Sequence, residues 1–212
     1  MITNASLICR QNLRGEFMEA DWVSLTADAV EEEIWQRVSR PHGRLELTSI
    51  LEGALEFAEA YNGDLVTETM LIEGVNDGAE HIRGVADFLA QLKPTIAYLA
   101  VPTRPPAEKW VQSPKEDVIN RAYQFFGERL DRVEYLIGYE GNAFAFTGNV
   151  EVDLLSITAV HPMREDAVSE FLARAMTDWS IVDRLIARGQ LIEMEYQGRS
   201  FYMRKLHEGN GR

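Results

Sequence analysis

Blocks of apolar and polar residues alternate along the middle of the chain at spacings that predict a strand, a helix and a second strand. Leu65–Ile72 is a short β-prone run, and the turn residues Glu73–Asp77 end it. Apolar residues then recur at the spacing of one helical face: Ile82, Val85, Ala86 and Leu89. Lys93-Pro94 ends that helix, because the residue before proline avoids the α region, and Thr95–Val101 follows as a second apolar run. Such a crossover is right-handed, so the two strands are predicted to be parallel.

The same rhythm extends to both sides of this unit. Further β-like runs are predicted at Met1–Ser6, Asp21–Ala27, Val133–Gly138 and Gly141–Thr147. Helices are predicted over Leu7–Phe17, Ala29–Val38, Leu47–Tyr61 and a segment for which Ser113 is the expected N-cap and Pro114 the first helical residue. Alternating strands and helices without an antiparallel hairpin predict an α/β fold. We therefore expect about four parallel strands of a partial (β/α) barrel, since a complete barrel needs roughly 200 to 250 residues.

The pattern changes after Gly148. Apolar residues at helical spacing predict three helices, over Asn149–Val160, Glu165–Ala175 and Trp179–Arg188. Leu191–Tyr196 and Ser200–Lys205 then alternate about a Gln197-Gly198 turn, which predicts a hairpin. Three helices and a two-stranded wing are typical of a small winged helix-turn-helix domain. We expect the partial barrel to occupy residues 1–147 and the winged helix residues 148–212.

Composition narrows the class of protein. The net charge is −13, and acidic residues outnumber basic ones in both halves, so neither half has the basic surface that nucleic-acid binding usually requires. No apolar run is long enough to span a membrane and no signal-peptide pattern opens the chain, so we expect a cytoplasmic protein without a membrane partner. Cys9 is the single cysteine, which excludes an internal disulfide and a multi-cysteine metal site. The four histidines are scattered, so no metal ligands and no catalytic residues are predicted.

Ligands of parallel α/β sheets bind at the carboxyl ends of the strands, and two residues near such ends are candidates for a binding site. Glu68 lies on the strand of the central crossover, while its neighbours Thr67 and Thr69 are expected to face the helices. A buried carboxylate is costly, so Glu68 is expected at a polar rim or with a partner. Arg104 follows the next strand and precedes two prolines, where it could bind a carboxylate or phosphate of a substrate, or form an ordinary surface salt bridge.

Four segments carry a resemblance to a known family. They read M-I-T-N-A-S, V-S-L-T-A-D, T-E-T-M-L-I-E-G-V-N-D and A-V-P-T-R-P-P-A-E-K-W-V. In this order they resemble the second half of the core of radical S-adenosylmethionine (SAM) enzymes. The similarity is to the uncharacterised iron–sulfur oxidoreductases related to the molybdenum-cofactor and wybutosine radical enzymes, in which T-N-G-S ends the third barrel strand. It covers residues 1 to about 130, and T-G-N-V-E-V-D-L-L-S-I-T-A-V-H-P-M-R-E resembles a winged-helix tail that some of these proteins carry.

The resemblance implies SAM and a [4Fe–4S] cluster as cofactors of the family, and it assigns roles to positions in this chain. Thr3 and Asn4 match residues that face the SAM carboxylate and ribose, and Ser24 matches a hydroxyl that binds the same carboxylate. Glu68 matches an inward-pointing polar position, and the backbone amide of Val101 matches one that pairs with adenine. A local role is the alternative for Thr3 and Asn4: their side chains could instead form hydrogen bonds within the turn at the end of the strand. Asp28, shifted by one residue from the family's aspartate, is expected to be a helix N-cap.

The chain departs from the family at the cluster. The family's three clustered cysteines are absent, and one thiolate cannot hold a cluster that needs several. We therefore expect neither cofactor to bind well to this chain alone, and the chain to be inactive by itself, either as a truncated chain or as the partner of a separate N-terminal half.

Other partners stay open. The alternative function is a binding module that uses the winged helix for protein or, less favoured, nucleic-acid contacts. The exposed edge at Thr3–Ser6 predicts a homodimer, because an edge strand has unpaired backbone groups.

Overall fold

The computed structural model describes residues 1–136, 144 and 146–205, without the side chain of Val160. The described residues form two compact units. The first contains those of Met1–Thr103 and Glu108–Gly138, and the second those of Arg104–Ala107 and Tyr139–Arg212.

The first unit is an α/β layer built on a five-stranded parallel sheet. Its strands are β1 Ile2–Thr3, β2 Trp22–Thr26, β3 Asp64–Met70, β4 Ile96–Ala100 and β5 Val133–Leu136. Its helices are α1 Gln11–Phe17, α2 Glu32–Ser39, α3 Leu47–Ala60, α4 Ala79–Leu92 and α5 Glu116–Gly127. The strands lie side by side in chain order, β1-β2-β3-β4-β5. This confirms the predicted parallel α/β architecture and is consistent with a partial β/α barrel. Strand β5, which follows the four expected parallel strands, coincides with the β-like run predicted at Val133–Gly138.

The sheet has one face packed on helices and one polar face. Because neighbouring strands follow one another along the chain, right-handed crossovers bring the helices to the same side. On that side Leu25, Thr67 and Leu99 are completely or almost completely buried, and helix residues complete the core. Side chains alternate along a strand, so Glu68 lies on the opposite face, paired in register with Thr26 and Tyr98. This second side also carries apolar Val66, Met70 and Ile96. We call its group of Ser24, Thr26, Glu68 and Tyr98 the polar face.

Local sequence explains where the helices end and, in one case, corrects the prediction. Arg40 and Lys93 follow α2 and α4 with positive φ angles of 44° and 53°, the left-handed conformation that commonly ends a helix. The expectation that Ser113 caps α5 is wrong: Lys115 is the N-cap residue, and the Ser113 hydroxyl donates to the carbonyl of Pro114. Acidic Glu116 opens the first turn, where it complements the helix dipole.

The second unit combines three helices with a three-stranded antiparallel sheet. Its elements are α6 Val150–Val160, β6 Met163–Arg164, α7 Glu165–Arg174, α8 Ser180–Ala187, β7 Leu191–Tyr196 and β8 Arg199–Arg204. The sheet order is β6-β8-β7. The predicted hairpin is present, and Gln197 and Gly198 turn with positive φ angles of 50° and 73°. The two-residue strand β6 was not predicted, because two residues are too few to show a pattern.

The core of this unit is separate from that of the first. Completely buried Leu154, Met163 and Phe171 pack with residues of α8 and β8. Four of the seven residues of the strand predicted over Gly141–Thr147 lie outside the described residues. Within the described ranges, no helix has both the length and the apolar surface to cross a bilayer.

Candidate functional site

The carboxyl ends of β2 and β3 are joined by side-chain hydrogen bonds to the backbone. The hydroxyl of Thr69 donates to the carbonyl of Ala27 at 2.9 Å. Asp28 Oδ1 accepts from the backbone N–H of Met70 at 2.8 Å. These bonds continue the strand pairing beyond the last ladder residues, so the rim of the sheet is fixed where a ligand of a parallel sheet would bind.

Asn76 holds the turn after β3. Its side chain is buried, and Oδ1 accepts from the N–H of Ile72 at 2.8 Å. Its Nδ2 donates to the carbonyls of Met70 at 2.8 Å and Asp28 at 3.0 Å. Asp77 accepts from the N–H of Gly74 at 3.0 Å, and Gly74 has the positive φ of 65° that the turn requires. Neither side chain caps the following helix, whose N-cap is Gly78.

Asp28 is the titratable group most strongly affected by this arrangement. The pKa of Asp28 is raised from 3.8 to about 7 as the net result of three causes: burial raises it, the hydrogen bond from Met70 lowers it, and the negative charge of Glu68 raises it. The expectation that Asp28 is a helix N-cap is wrong, because α2 begins at Glu32 with Glu31 as its N-cap. The residue instead bridges two strand ends, a role that depends on a contact 42 positions away and that local sequence could not reveal.

His81 is a buried member of the same rim that sequence reasoning missed. Its Nδ1 lies 2.9 Å from Glu31 Oε1, and its Nε2 lies 3.4 Å from the carbonyl oxygen of Asp28. Because both atoms facing the ring are acceptors, the imidazole links the start of α2 to the end of β2. The signal in the sequence is the helical spacing of His81 with Val85, Phe88 and Leu92, which are buried on α4.

The two residues expected to face the carboxylate and ribose of SAM make local turn contacts. The Thr3 hydroxyl accepts from the N–H of Ala5 at 3.2 Å, and Asn4 Oδ1 accepts from the N–H of Ser6 at 3.1 Å. Ala5 has a φ angle of 57°. It stands where the resembled T-N-G-S pattern has glycine, and the left-handed conformation explains why glycine suits that position.

The structure brings some of the remaining predicted residues together. Ser24 and Glu68 share the polar face on neighbouring strands, Ser24 buried and Glu68 partly buried. Val101 is buried directly after β4. Thr26 and Tyr98 flank Glu68 in register but were not predicted, although the alternation of β2 and β4 would have placed them on that face.

Arg104 belongs to the other unit. Its Nη1 lies 3.1 Å from Nδ1 of His161, the residue that follows α6.

Across the described ranges, no group of three or more His, Cys, Asp or Glu side chains is arranged to hold a metal ion, and Cys9 is exposed.

Comparison with known sequences finds similarity to UPF0026 proteins. No family model matches the chain. It is 41% identical over 208 residues to a UPF0026 protein of Methanocaldococcus jannaschii, an alignment that covers 97% of this chain and 65% of the relative. It is 34% identical over 128 residues to a UPF0026 protein of Helicobacter pylori, which covers 59% of this chain and 40% of that relative. The chain thus spans less than two thirds of the length of these relatives.

Comparison with solved structures identifies the fold. A domain of a pyruvate-formate lyase-activating enzyme from Bacteroides vulgatus aligns with a TM-score of 0.50 and 24% identity, over 62% of this chain and 77% of that domain. A radical SAM methyltransferase from Sphaerobacter thermophilus aligns with a TM-score of 0.53 and 15% identity, over 66% of this chain and 40% of that enzyme. The chain contains a radical SAM-like fold. Its parallel sheet is therefore of the kind seen in these enzymes, while the activity of each belongs to that enzyme.

Proposed function

We propose that this chain supplies the SAM-facing, carboxyl-terminal part of a radical SAM barrel, and that its polar face contributes to the cofactor site. The observation that carries the proposal is the polar face itself. Five parallel strands in chain order present Ser24, Thr26, Glu68 and Tyr98 on one side, while their other side is packed on helices. A polar surface at this position of a sheet suits a ligand rich in hydroxyl, ammonium and carboxylate groups.

The residues present are chemically suited to hold SAM. In the proposed arrangement the Ser24 hydroxyl donates to the cofactor's carboxylate, and Glu68 accepts from its ammonium or ribose hydroxyl groups. Thr3 and Asn4 contribute from the end of β1, and the backbone amide of Val101 pairs with adenine. Beside a reduced iron–sulfur cluster, bound SAM would accept an electron from the cluster, and its C–S bond would be cleaved.

The residues present do not suit the cluster. A [4Fe–4S] cluster is held by several thiolates, and this chain has one cysteine, Cys9, which lies exposed before α1. Cluster ligands must therefore come from protein outside these 212 residues, on the same or another chain. We accordingly propose that the chain alone is inactive. About one third of the Methanocaldococcus jannaschii relative lies outside the alignment, and that region is the natural place to seek the missing ligands, since the alignment covers 65% of the relative.

Calorimetry with S-adenosylhomocysteine tests the cofactor site. The chain alone is expected to bind weakly or not at all, and a fusion to the uncovered region of the relative is expected to bind. Ser24→Ala and Glu68→Gln should each weaken binding by about tenfold, the effect of one lost hydrogen bond to a charged group. The exposed changes Thr48→Ala and Glu59→Gln serve as matched controls. Unchanged affinity of the fusion after both polar-face substitutions would contradict the proposal.

A second candidate function rests on the second unit. Its order of helix, strand, two helices and two strands supports a winged helix that acts as a binding module. Glu151 lies 3.2 Å from Arg184 and 3.3 Å from Arg188, so an acidic residue partly neutralises the basic side chains of α8. This favours protein or substrate contacts over nucleic acid. Duplex DNA binding that weakens steeply with salt would reverse that preference.

We also propose that the free edge of β1 contacts a second protein segment. Ile2 is 72% exposed, and in the described ranges β1 pairs only with β2. An exposed apolar strand edge favours addition of a further strand. The occupant is either a second copy of the chain or a separate N-terminal half. A monomer in light scattering at micromolar concentration would exclude the homodimer.

A further inference from the structure

A cavity of about 230 Å³ lies at the carboxyl ends of β1 and β2, beside α3 and the loop that follows α2. It exceeds the ~150 Å³ cavities that hold a benzene ring and is close to the roughly 300 Å³ at which small-molecule sites begin. Asn4 and Thr26 are shared with the cofactor site proposed above, whereas Ser24, Glu68, Tyr98 and Val101 do not line the cavity. Of the four residues of the polar face, the cavity therefore includes Thr26.

The body of the cavity is apolar. Trp35 of α2, Ile50 and Ala54 of α3, and Phe88 of α4 line it, and all four are buried. Such a lining favours a ligand with a compact hydrocarbon or aromatic body, because binding removes apolar surface from water. A ligand that fills this volume is the size of one ring with a short side chain.

One carboxylate stands out among the polar groups of this cavity. Asp28 lines it and uses Oδ1 to accept from Met70, while its other oxygen accepts no hydrogen bond from the described residues. Arg40, which also lines the cavity, is paired with Glu108. His42, another lining residue, accepts through Nδ1 from the N–H of Arg44.

Among the residues that the structure describes, no cationic side chain forms an ion pair with the Asp28 carboxylate, although His81 lies beside its backbone carbonyl. Burial and the neighbouring charge of Glu68 both raise the pKa of Asp28, to about 7. A ligand ammonium group would offset both effects, because an opposite charge favours the ionised carboxylate. A neutral ligand of the same shape would leave the carboxylate without a counter-charge.

We infer that this cavity binds a small primary amine with a ring-sized apolar body, held by Asp28 through a charge-assisted hydrogen bond. The inference does not rest on the proposed cofactor site. It depends on the volume of the cavity, its apolar lining and the presence of the Asp28 carboxylate among the lining residues.

Titration with a matched pair of probes tests the inference. Phenethylamine carries the ammonium group, and 2-phenylethanol has the same shape without a charge. Binding to the full chain at pH 8 is measured by calorimetry and by saturation-transfer NMR. The amine is expected to bind at least about tenfold more tightly than the alcohol, the effect of one hydrogen bond to a charged group. Asp28→Asn should reduce that preference to less than about twofold, whereas the exposed control Asp117→Asn should leave it unchanged.

A second variant tests the location. Ala54→Leu adds side-chain volume inside the cavity and should abolish binding of both probes. If that variant fails to fold, Asp28→Asn and Asp117→Asn still decide the question. Equal affinity of the folded wild-type chain for the two probes would overturn the amine assignment. Binding of neither probe, or an amine preference that survives Asp28→Asn, would overturn the site.

Discussion

Replacing Asp28 with asparagine gives a stability change whose size and pH dependence follow from the structure. The pKa of Asp28 is raised by burial from 3.8 to about 7 in the folded protein. Between these values the folded protein keeps a proton that the unfolded chain has released. The free energy of unfolding therefore falls as the pH rises from about 4 to about 7 and is lowest above that range.

The magnitude follows from the size of the shift. Each pKa unit corresponds to about 1.4 kcal/mol, so ionised Asp28 costs the fold about 4 kcal/mol above pH 7. Asparagine removes the charge and retains an oxygen that accepts from the N–H of Met70, and the raised pKa already includes the effect of that hydrogen bond on the ionised form. Asp28→Asn is therefore expected to stabilise the protein by about 4 kcal/mol at pH 8 and to have little effect at pH 4.

Urea unfolding of wild type and variants at pH 4, 6 and 8 measures this difference, with tryptophan fluorescence as the probe for the first unit and for the second, which contains Trp179. A matched control is Asp166→Asn, because the hydrogen bond from Arg164 lowers the pKa of Asp166. That variant should be destabilised at pH 8, and the loss should shrink as the pH falls below the usual aspartate range. A destabilised Asp28→Asn at pH 8, or a stability difference independent of pH, would refute the reasoning.

Three further predictions concern positions where one contact dominates, and urea unfolding measures each. Gly53→Ala should destabilise the protein by about 2 kcal/mol, because a Cβ at this position would lie 2.7 Å from Cys9 Cα. The control Gly15→Ala, also in a helix, has open space around the added Cβ and should stabilise the protein by about 1 kcal/mol. Equal effects of the two substitutions would contradict this packing. Asn76→Ala should cost about 3 kcal/mol, since it leaves a buried N–H and two carbonyls unpaired, and a loss below about 1 kcal/mol would show that the turn does not depend on this side chain. Asn149→Ala should cost about 1 kcal/mol by removing the cap of α6, with Asn149→Asp as the variant that should retain stability.

The architecture of the first unit could be predicted because its signals are local and repeated. The helical spacing of Ile82, Val85 and Leu89 and the flanking apolar runs are enough to predict a crossover, and crossovers have a fixed hand. The alternation around Glu68 likewise placed Thr67 and Thr69 on the helix-packed side, where both are buried.

The rim of the sheet could not be predicted in the same way. Asp28 is followed by a helix, so a cap was the local expectation, but its partner Met70 is brought near only by sheet pairing. His81 shows the same limit, because its contacts with Glu31 and Asp28 join segments about 50 positions apart. The length of β6 and the start of α5 at Glu116 also depend on tertiary contacts and backbone geometry rather than on residue pattern.

The most direct test of the proposed function is cleavage of SAM under reducing, anaerobic conditions after reconstitution with iron and sulfide. The chain alone is expected to release no 5′-deoxyadenosine. The same chain joined to the uncovered region of the Methanocaldococcus jannaschii relative is expected to release it, and Ser24→Ala in that fusion should reduce the yield. Release by the chain alone would contradict the account, as would a fusion that assembles a cluster and leaves SAM intact.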